Sequence, residues 1–328
     1  MIGPPTLPSP VLVTGATGTV GGAIVERFLA DGYDVAALVR DVDRAAELLP
    51  GQVSLRGGDV LDADSVRSAV EGVGTVVHAA GLPEQWVADP GIFDRVNRGG
   101  TEHVADAALA EGVGCFVHVS TIDVCRWSPG RPFDETVDPE PKHTAYERSK
   151  QDADRAVVER IGAGLAARIV CPSGVFGPAP RLTPGVNKLI ADLVAGDIPM
   201  LLPGGLPVVY NRDVAAGVIR VGGAPVGTRA ILSGPYVTLR ELAGLVADAA
   251  GSRVPPVMPG WVAHLVSRVG EARSRRTHRP PLIPAGALHF LESHVVPSAR
   301  FATEELGWRP TPLSESIPPT IAWLGQLD

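Results

Sequence analysis

The sequence predicts an α/β fold in which a doubly wound parallel sheet is overlaid by a smaller C-terminal part. Three observations carry this expectation. A short apolar strand, a glycine turn and a helix follow one another from Val11 onward. Strand-like and helix-like runs then alternate through the first half, which requires crossover connections and hence parallel pairing. After Pro172 the alternation stops and prolines and glycines become frequent, the mark of a chain leaving the sheet to build over the carboxyl ends of its strands.

The opening unit is the most informative. Val11–Val13 reads as a buried strand, Gly15, Gly18 and Gly21 follow at three-residue spacing, and Gly22–Asp31 carries a helical pattern with Ile24, Val25, Phe28 and Leu29 on one side. Glycine permits positive φ and lets the backbone approach a pyrophosphate, and the helix N-terminus offers unpaired N–H groups to it. Further strands are expected at Asp34–Val39, Val53–Leu55, Thr75–His78 and Cys115–Val119, with later ones at Arg168–Cys171 and Arg229–Leu232. Helices are expected at Ala45–Leu49, Ala63–Glu71 and Gly99–Glu111. In the second half they are expected at Asn187–Ala195, Leu239–Ala250 and Trp261–Val269, joined by irregular segments. The resulting division is a dinucleotide-binding domain over residues 1–172, to which segments around 208–235 return, and a lobe that is mainly substrate-binding over 173–328.

Several strand ends carry candidate chemistry. Arg40 lies just past the second strand, 19 residues beyond Gly21, where a carboxylate would bond a ribose 2′-hydroxyl and an arginine accommodates a 2′-phosphate. Charge logic therefore favours NADP(H), with NAD(H) as the alternative, provided Asp41 and Asp43 face away. Asp59 closes the third strand and suits an adenine amino group, or a helix cap. His78, inside the fourth strand, reads as a satisfied core histidine. Ser120 and Thr121 end the fifth strand, and Tyr146 stands four residues before Lys150, on one helical face. A neighbouring ammonium is expected to lower the pKa of the phenol, so that Tyr146 exchanges a proton with a carbonyl or alcohol oxygen that Thr121 orients.

Bulk properties exclude other classes. A net charge of −7 argues against nucleic-acid binding, although Arg268–Arg279 forms a local basic run that reads as a solvated helix end or loop. No stretch of 18 apolar residues suggests a membrane span, and Met1–Pro10 lacks the pattern of a signal peptide. Cys115, Cys125 and Cys171 lack metal or disulfide spacing, so no metal is expected and a reducing cytoplasm fits.

Taken together, these residues resemble the extended short-chain dehydrogenase/reductase (NAD-dependent epimerase/dehydratase) superfamily along nearly the whole chain. The matching motifs are Thr14–Gly21, His78-Ala79-Ala80, Asn97 with Gly100-Thr101, Val119-Ser120-Thr121, Tyr146–Lys150, Pro172–Pro178 and Leu306–Pro310. The resemblance implies a Rossmann sheet of about seven strands with a C-terminal α/β substrate lobe. It implies a catalytic triad of Thr121, Tyr146 and Lys150, with a threonine at the position of the usual serine. It also implies cofactor contacts at Gly15, Thr17, Gly18, Thr19, Val20, Gly21, Arg40, Asp59, Val60, Ala79, Ala80, Gly81, Tyr146, Lys150, Pro172 and Val175. Within the superfamily the chain is similar to the dihydroflavonol-4-reductase-like and 3β-hydroxysteroid-dehydrogenase-like branch. The implied activity is interconversion of a ketone and a secondary alcohol on a hydrophobic small molecule, in a cleft containing Trp86, Trp127, Phe133, Phe176 and Trp261 unless these are simply lobe core. The alternatives are a nucleotide-sugar epimerase or dehydratase, for which Arg181, Lys188, Arg212 and Arg240 offer cations, and a non-catalytic cofactor-binding protein. Relatives of this kind often pair as homodimers through the helices around Gly99–Glu111 and Tyr146–Glu159.

Overall fold

The computed structural model describes residues 5–327 apart from 138–139, 143, 278–280 and 282. The start of the N-terminal segment and Arg279 of the basic run lie outside these residues.

Seven strands form the central sheet: β1 (Val11–Thr14), β2 (Val35–Val39), β3 (Ser54–Gly57), β4 (Thr75–His78), β5 (Cys115–Val119), β7 (Ala167–Pro172) and β10 (Arg229–Leu232). Between β5 and β7 the short strand β6 (Pro132–Phe133) pairs instead with β12 (Val296–Pro297). The sheet order is β10-β7-β5-β4-β1-β2-β3, with every pairing parallel. The order reverses between β1 and β4, and the crevice outside their carboxyl ends is where an open α/β sheet binds ligands. Valine-rich strands with both faces covered explain the complete burial of β1, β4 and β5.

Helices α1 (Thr19–Ala30), α2 (Val42–Leu48), α3 (Ala63–Val70), α4 (Gly91–Phe93), α5 (Gly100–Ala110) and α6 (Ala145–Gly162) connect the strands. A wide π-helical stretch, Asp94–Gly99, leads into α5. On one face of the sheet Ile24 and Phe28 of α1 pack with Val214 and Val218 of α8 (Asn211–Gly222) and with Trp308. On the other face Val66, Val104 and Val157 of α3, α5 and α6 pack with Phe116 and Ile169.

The region after Pro172 holds more regular structure than its composition suggests. Strands β8 (Gly174–Phe176), β9 (Gly205–Tyr210) and β11 (Tyr236–Thr238) make a second sheet, covered by α7 (Val186–Ala195), α9 (Leu239–Ala250) and α13 (Leu313–Leu324) around a separate core that includes Phe176, Ile190, Val208, Leu242 and Ile317. Helix α10 runs over Gly260–Thr277, well past Val269, and meets α11 (Ala285–Glu292) over a small cluster of Ala263, Ile283 and Leu288. Short helix α12 (Arg300–Glu304) precedes Trp308.

The segments expected to be irregular therefore include α8 and α13. Helix α8 is rich in valine and glycine, which weakens its helical signal, yet its apolar stripe fits against α1. Helix α13 carries Pro318 and Pro319 inside it. Both prolines face solvent, as do Ser314 and Glu315, whose carbonyls lose their i+4 donors and remain open to water, while Leu313, Ser316, Ile317 and Thr320 are buried.

Candidate active site

The site is assembled at the carboxyl ends of β1, β4 and β5. Gly15, past β1, has φ +70°, and a Cβ there would lie 2.6 Å from the Ala79 carbonyl oxygen; one on Gly21 would lie 2.2 Å from that of Gly15. Only glycine lets the turn fold back on itself and against β4. Gly18 caps α1 without a side-chain bond, so the N–H groups of the first turn at Thr19, Val20 and Gly21 remain directed outward. Thr17 lies in the turn, with its carbonyl accepting from Arg181 Nε at 3.2 Å, and Thr19 Oγ1 is 2.6 Å from Thr183 Oγ1. The segment around Arg181 thus drapes over the glycine turn, which the sequence did not reveal because the two are far apart in the chain.

Along β4 a chain of hydrogen bonds fixes the crevice floor. Thr14 Oγ1 accepts from the Ala80 N–H at 3.1 Å and lies 2.8 Å from His78 Nδ1; His78 Nε2 lies 3.0 Å from Thr101 Oγ1, which donates to the Asn97 carbonyl. The donor count assigns the proton of neutral His78 to Nε2. Burial, with positive charge from His118 and Lys150, keeps His78 well below its ordinary pKa, as a satisfied core histidine requires. Ala79 donates its N–H to Thr14, and Gly81 lies against Asn97. Buried Asn97 clamps the loop, accepting from Leu82 N at 2.7 Å and donating to Ser149 Oγ of α6 at 3.0 Å.

The other predicted positions ring the same crevice or its borders. Arg40 is exposed just beyond β2, and Asp41 turns its carboxylate to cap α2 through the Arg44 N–H at 3.0 Å. Asp59 uses Oδ1 to accept from Leu61 N at 3.0 Å, a local turn, and the Val60 carbonyl lies 2.8 Å from His103 Nδ1. Pro172 is buried at the end of β7, and Val175 lies in β8 paired with Val209.

Helix α6 is started by a capping box: Thr144 Oγ1 accepts from the Glu147 N–H and Glu147 Oε2 accepts from the Thr144 N–H. This sets Tyr146 and Lys150 in the first turns, beneath β5. Tyr146 is half-buried, its ring edge-on to Phe93 at 5.9 Å, with the Thr121 side chain beside its hydroxyl. Thr121 in turn donates to Asp123 Oδ2 at 2.9 Å. Buried Lys150 donates to the Val119 carbonyl at 2.9 Å, and burial pulls its pKa down.

The electrostatics differ from the expectation that Lys150 would acidify Tyr146. Burial, then the Asp123 carboxylate, with Glu84 and Glu147 adding to it, push the phenol well above its usual value. The ammonium donates to a backbone carbonyl instead, and the Asp154 carboxylate is the main opposite charge that favours it. Asp123 is itself pushed up to about 6, mainly by burial, and Glu84, from the loop after β4, to about 7 by burial and by Asp123. Glu84 carries no signal in the sequence, since it has no motif; Asp123 stands where a dehydratase acid could follow the catalytic hydroxyl, though not at the usual adjacent spacing, and its bond to Thr121 is visible only in the fold.

Of the aromatics expected to line a cleft, Phe176 and Phe133 are buried core residues, at 0% and 6% exposure. Trp261 faces solvent, and Trp127 packs on His289 and Phe290 of α11. Trp86 is exposed on the loop that carries Glu84. The four cations considered for a diphosphate lie on different elements: Arg181 is at the glycine turn, Lys188 pairs with Asp192 on α7, Arg212 is exposed in the first turn of α8, and Arg240 is exposed on α9.

Comparison with known proteins agrees with this arrangement. The description of the NAD dependent epimerase/dehydratase family matches residues 11–229. The chain is similar to sterol demethylase protein B of Methylococcus capsulatus, at 28% identity over 95% of this chain and 97% of that one. It is also similar to 3 beta-hydroxysteroid dehydrogenase/Delta 5-->4-isomerase of Mycobacterium tuberculosis, at 29% identity over 76% and 75%. Among solved structures it is similar to UDP-glucose 4-epimerase of Thermus thermophilus in complex with NAD, with a TM-score of 0.76 and 27% identity over 96% and 98% of the two chains.

Proposed function

The chain belongs to the NAD dependent epimerase/dehydratase family, a group of extended short-chain dehydrogenase/reductase enzymes, and we propose that it is an NADP(H)-dependent oxidoreductase interconverting a ketone and a secondary alcohol on a hydrophobic small molecule. What supports the reading is Tyr146 one helical turn before Lys150 and beside Thr121, just past β5, in a sheet whose neighbouring strands β4 and β1 lead to the glycine turn.

A dinucleotide fits the residues present. The open N–H groups of α1 and the Arg181 guanidinium suit a pyrophosphate, and the turn between Gly15 and Gly21 is closed to any side chain. Arg40 would hold a 2′-phosphate, Asp59 and Val60 would border the adenine, and Ala79, Ala80, Gly81, Pro172 and Val175 would flank the nicotinamide half. When bound, the cofactor supplies or accepts the hydride. Tyr146 supplies the proton: raised by burial and by Asp123, its phenol stays protonated at neutral pH and suits donation to a carbonyl oxygen. In the free protein Thr121 gives its hydrogen to Asp123 Oδ2. A substrate oxygen beside Tyr146 would be oriented by the Thr121 hydroxyl once that hydrogen turns to it. Lys150, held by the Val119 carbonyl, places positive charge under the site and would reach the nicotinamide ribose.

The nucleotide-sugar alternative draws on the likeness to UDP-glucose 4-epimerase, but the scattered cations of the C-terminal region give a sugar diphosphate no single anchoring place. A panel of apolar ketones, steroid ketones included, against UDP- and dTDP-sugars, with NADPH and NADH, tests the reading. Turnover of the ketones is expected; turnover of the sugars alone would overturn it.

A further inference from the structure

We propose that the outward face of α10 is a peripheral docking surface for an anionic lipid bilayer. On this helix the outward side is as apolar as the inward one. Its inward side holds buried Ala263 and Ser267, with half-buried Val266 packed against Ala263, Ile283 and Leu288. Its outward side presents Trp261, Leu265 and Val269 at 73%, 55% and 61% exposure. These three are spaced one turn apart and so form a continuous stripe along the axis. At the foot of the helix Val257 and Met200 are also exposed, and the Leu201–Val257 bridge holds their segments together.

Charge decides which occupant fits. The chain as a whole carries −7, yet α10 contains Arg268, Arg273, Arg275 and Arg276 against a single acid, Glu271. Arg268 and Arg273 are exposed beside and beyond the apolar stripe. His264, on the same side, pairs with Glu292 of α11 at 3.0 Å and adds no free anion. A stripe of tryptophan, leucine and valine edged by arginines matches a helix lying in the plane of a negatively charged interface, with apolar groups among the acyl chains and guanidinium groups at the phosphates. The helix, about 27 Å long, is long enough for such contact along its whole length. No helix among the described residues is long and apolar enough to cross a membrane, so the contact is peripheral.

The test needs no turnover, so its failure is distinct from failure of the proposed activity. The full chain is sedimented with sucrose-loaded vesicles of phosphatidylcholine alone and of phosphatidylcholine mixed with phosphatidylglycerol, at low and high salt. Mixed vesicles are expected to pellet the protein, and salt to weaken binding. The pairs Leu265→Gln/Val269→Gln and Arg268→Gln/Arg273→Gln should each lower the partition coefficient on the order of tenfold with unchanged thermal melting, because all four side chains are exposed. Absence of binding to anionic vesicles, or binding that both pairs leave intact, overturns the proposal. A dimer that Leu265→Gln/Val269→Gln converts to monomer, with no lipid binding, overturns it in favour of a second copy of this chain.

Discussion

Thr121 donates its hydrogen to Asp123 at 2.9 Å, which ties the hydroxyl beside Tyr146 to an acid that burial has pushed up to about 6. In the unfolded chain the same carboxyl titrates near 3.8. Between the two values the folded protein binds the extra proton, so the contribution of Asp123 to stability falls as pH rises from about 4 to about 6. The full shift corresponds to at most about 3 kcal/mol, less because the residue is only half-buried. Asp123→Asn keeps the shape without the charge. Thermal melts of both proteins should show the variant gaining on the wild type as pH rises through this window; a constant difference would mean that Asp123 titrates as an ordinary carboxylate.

Tyr146→Phe should remove the proton donor while leaving the glycine cradle untouched. Turnover of any ketone found by the substrate panel should fall by about 10²–10⁴, the usual worth of a positioned acid, with cofactor affinity preserved. An alkaline absorbance titration gives a second readout. The phenol missing from the variant should be one that ionises above the ordinary tyrosine range, since burial and Asp123 both oppose its anion.

Asp154 has the opposite pH signature to Asp123. Burial alone would raise its pKa, but the Arg229 guanidinium, with His118 Nε2 at 3.2 Å, holds the carboxyl well below the usual range. Its stabilising effect is therefore present above about pH 4 and lost as pH falls below it. Asp154→Asn leaves the Arg229 charge without its counterion. The cost should be about 3 kcal/mol, the low end for breaking a buried pair because the Arg229 side chain is 24% exposed. Chemical denaturation at pH 7 measures it, and the difference from wild type should shrink in acid.

How much of this the sequence carried depends on how local each signal is. Strands such as Thr75–His78, Cys115–Val119 and Arg229–Leu232 are bounded as their short apolar runs predict, because a strand buried on both faces needs little beyond apolar residues. The glycine turn is legible because the positive φ of Gly15 and the close approach of Gly21 to Gly15 lie within seven residues, even though Gly15 must also clear Ala79 beyond β4. Helix α8 was hidden because its identity lies in its partner, the face of α1, rather than in propensity. The surroundings of Tyr146 were hidden more deeply. Tyr146 and Lys150 share a helix, which invites the inference that the ammonium governs the phenol. Yet Lys150 turns to the Val119 carbonyl, and the groups that govern Tyr146 come from three separate segments, at Glu84, Asp123 and Glu147. Only the folded arrangement sums their charges.

The proposed preference for NADP(H) rests on Arg40, exposed where the chain leaves β2. The two aspartates that follow it would oppose a phosphate if they faced it. Asp41 does not, because its carboxylate caps α2 by accepting from the Arg44 N–H at 3.0 Å. With Asp41 so engaged, the Arg40 guanidinium is the group expected to meet a 2′-phosphate, with Asp43 exposed in the first turn of α2. Arg40→Ala should weaken NADPH by roughly 1.5–3 kcal/mol, the worth of a hydrogen bond to a charged group, and NADH by much less, since a 2′-hydroxyl offers no charge to lose. Titration of cofactor fluorescence with both proteins and both nucleotides gives the four dissociation constants. Equal weakening of NADPH and NADH would show that Arg40 does not read the 2′-position, and preference for NADH in the wild type would place this chain with NAD(H) instead.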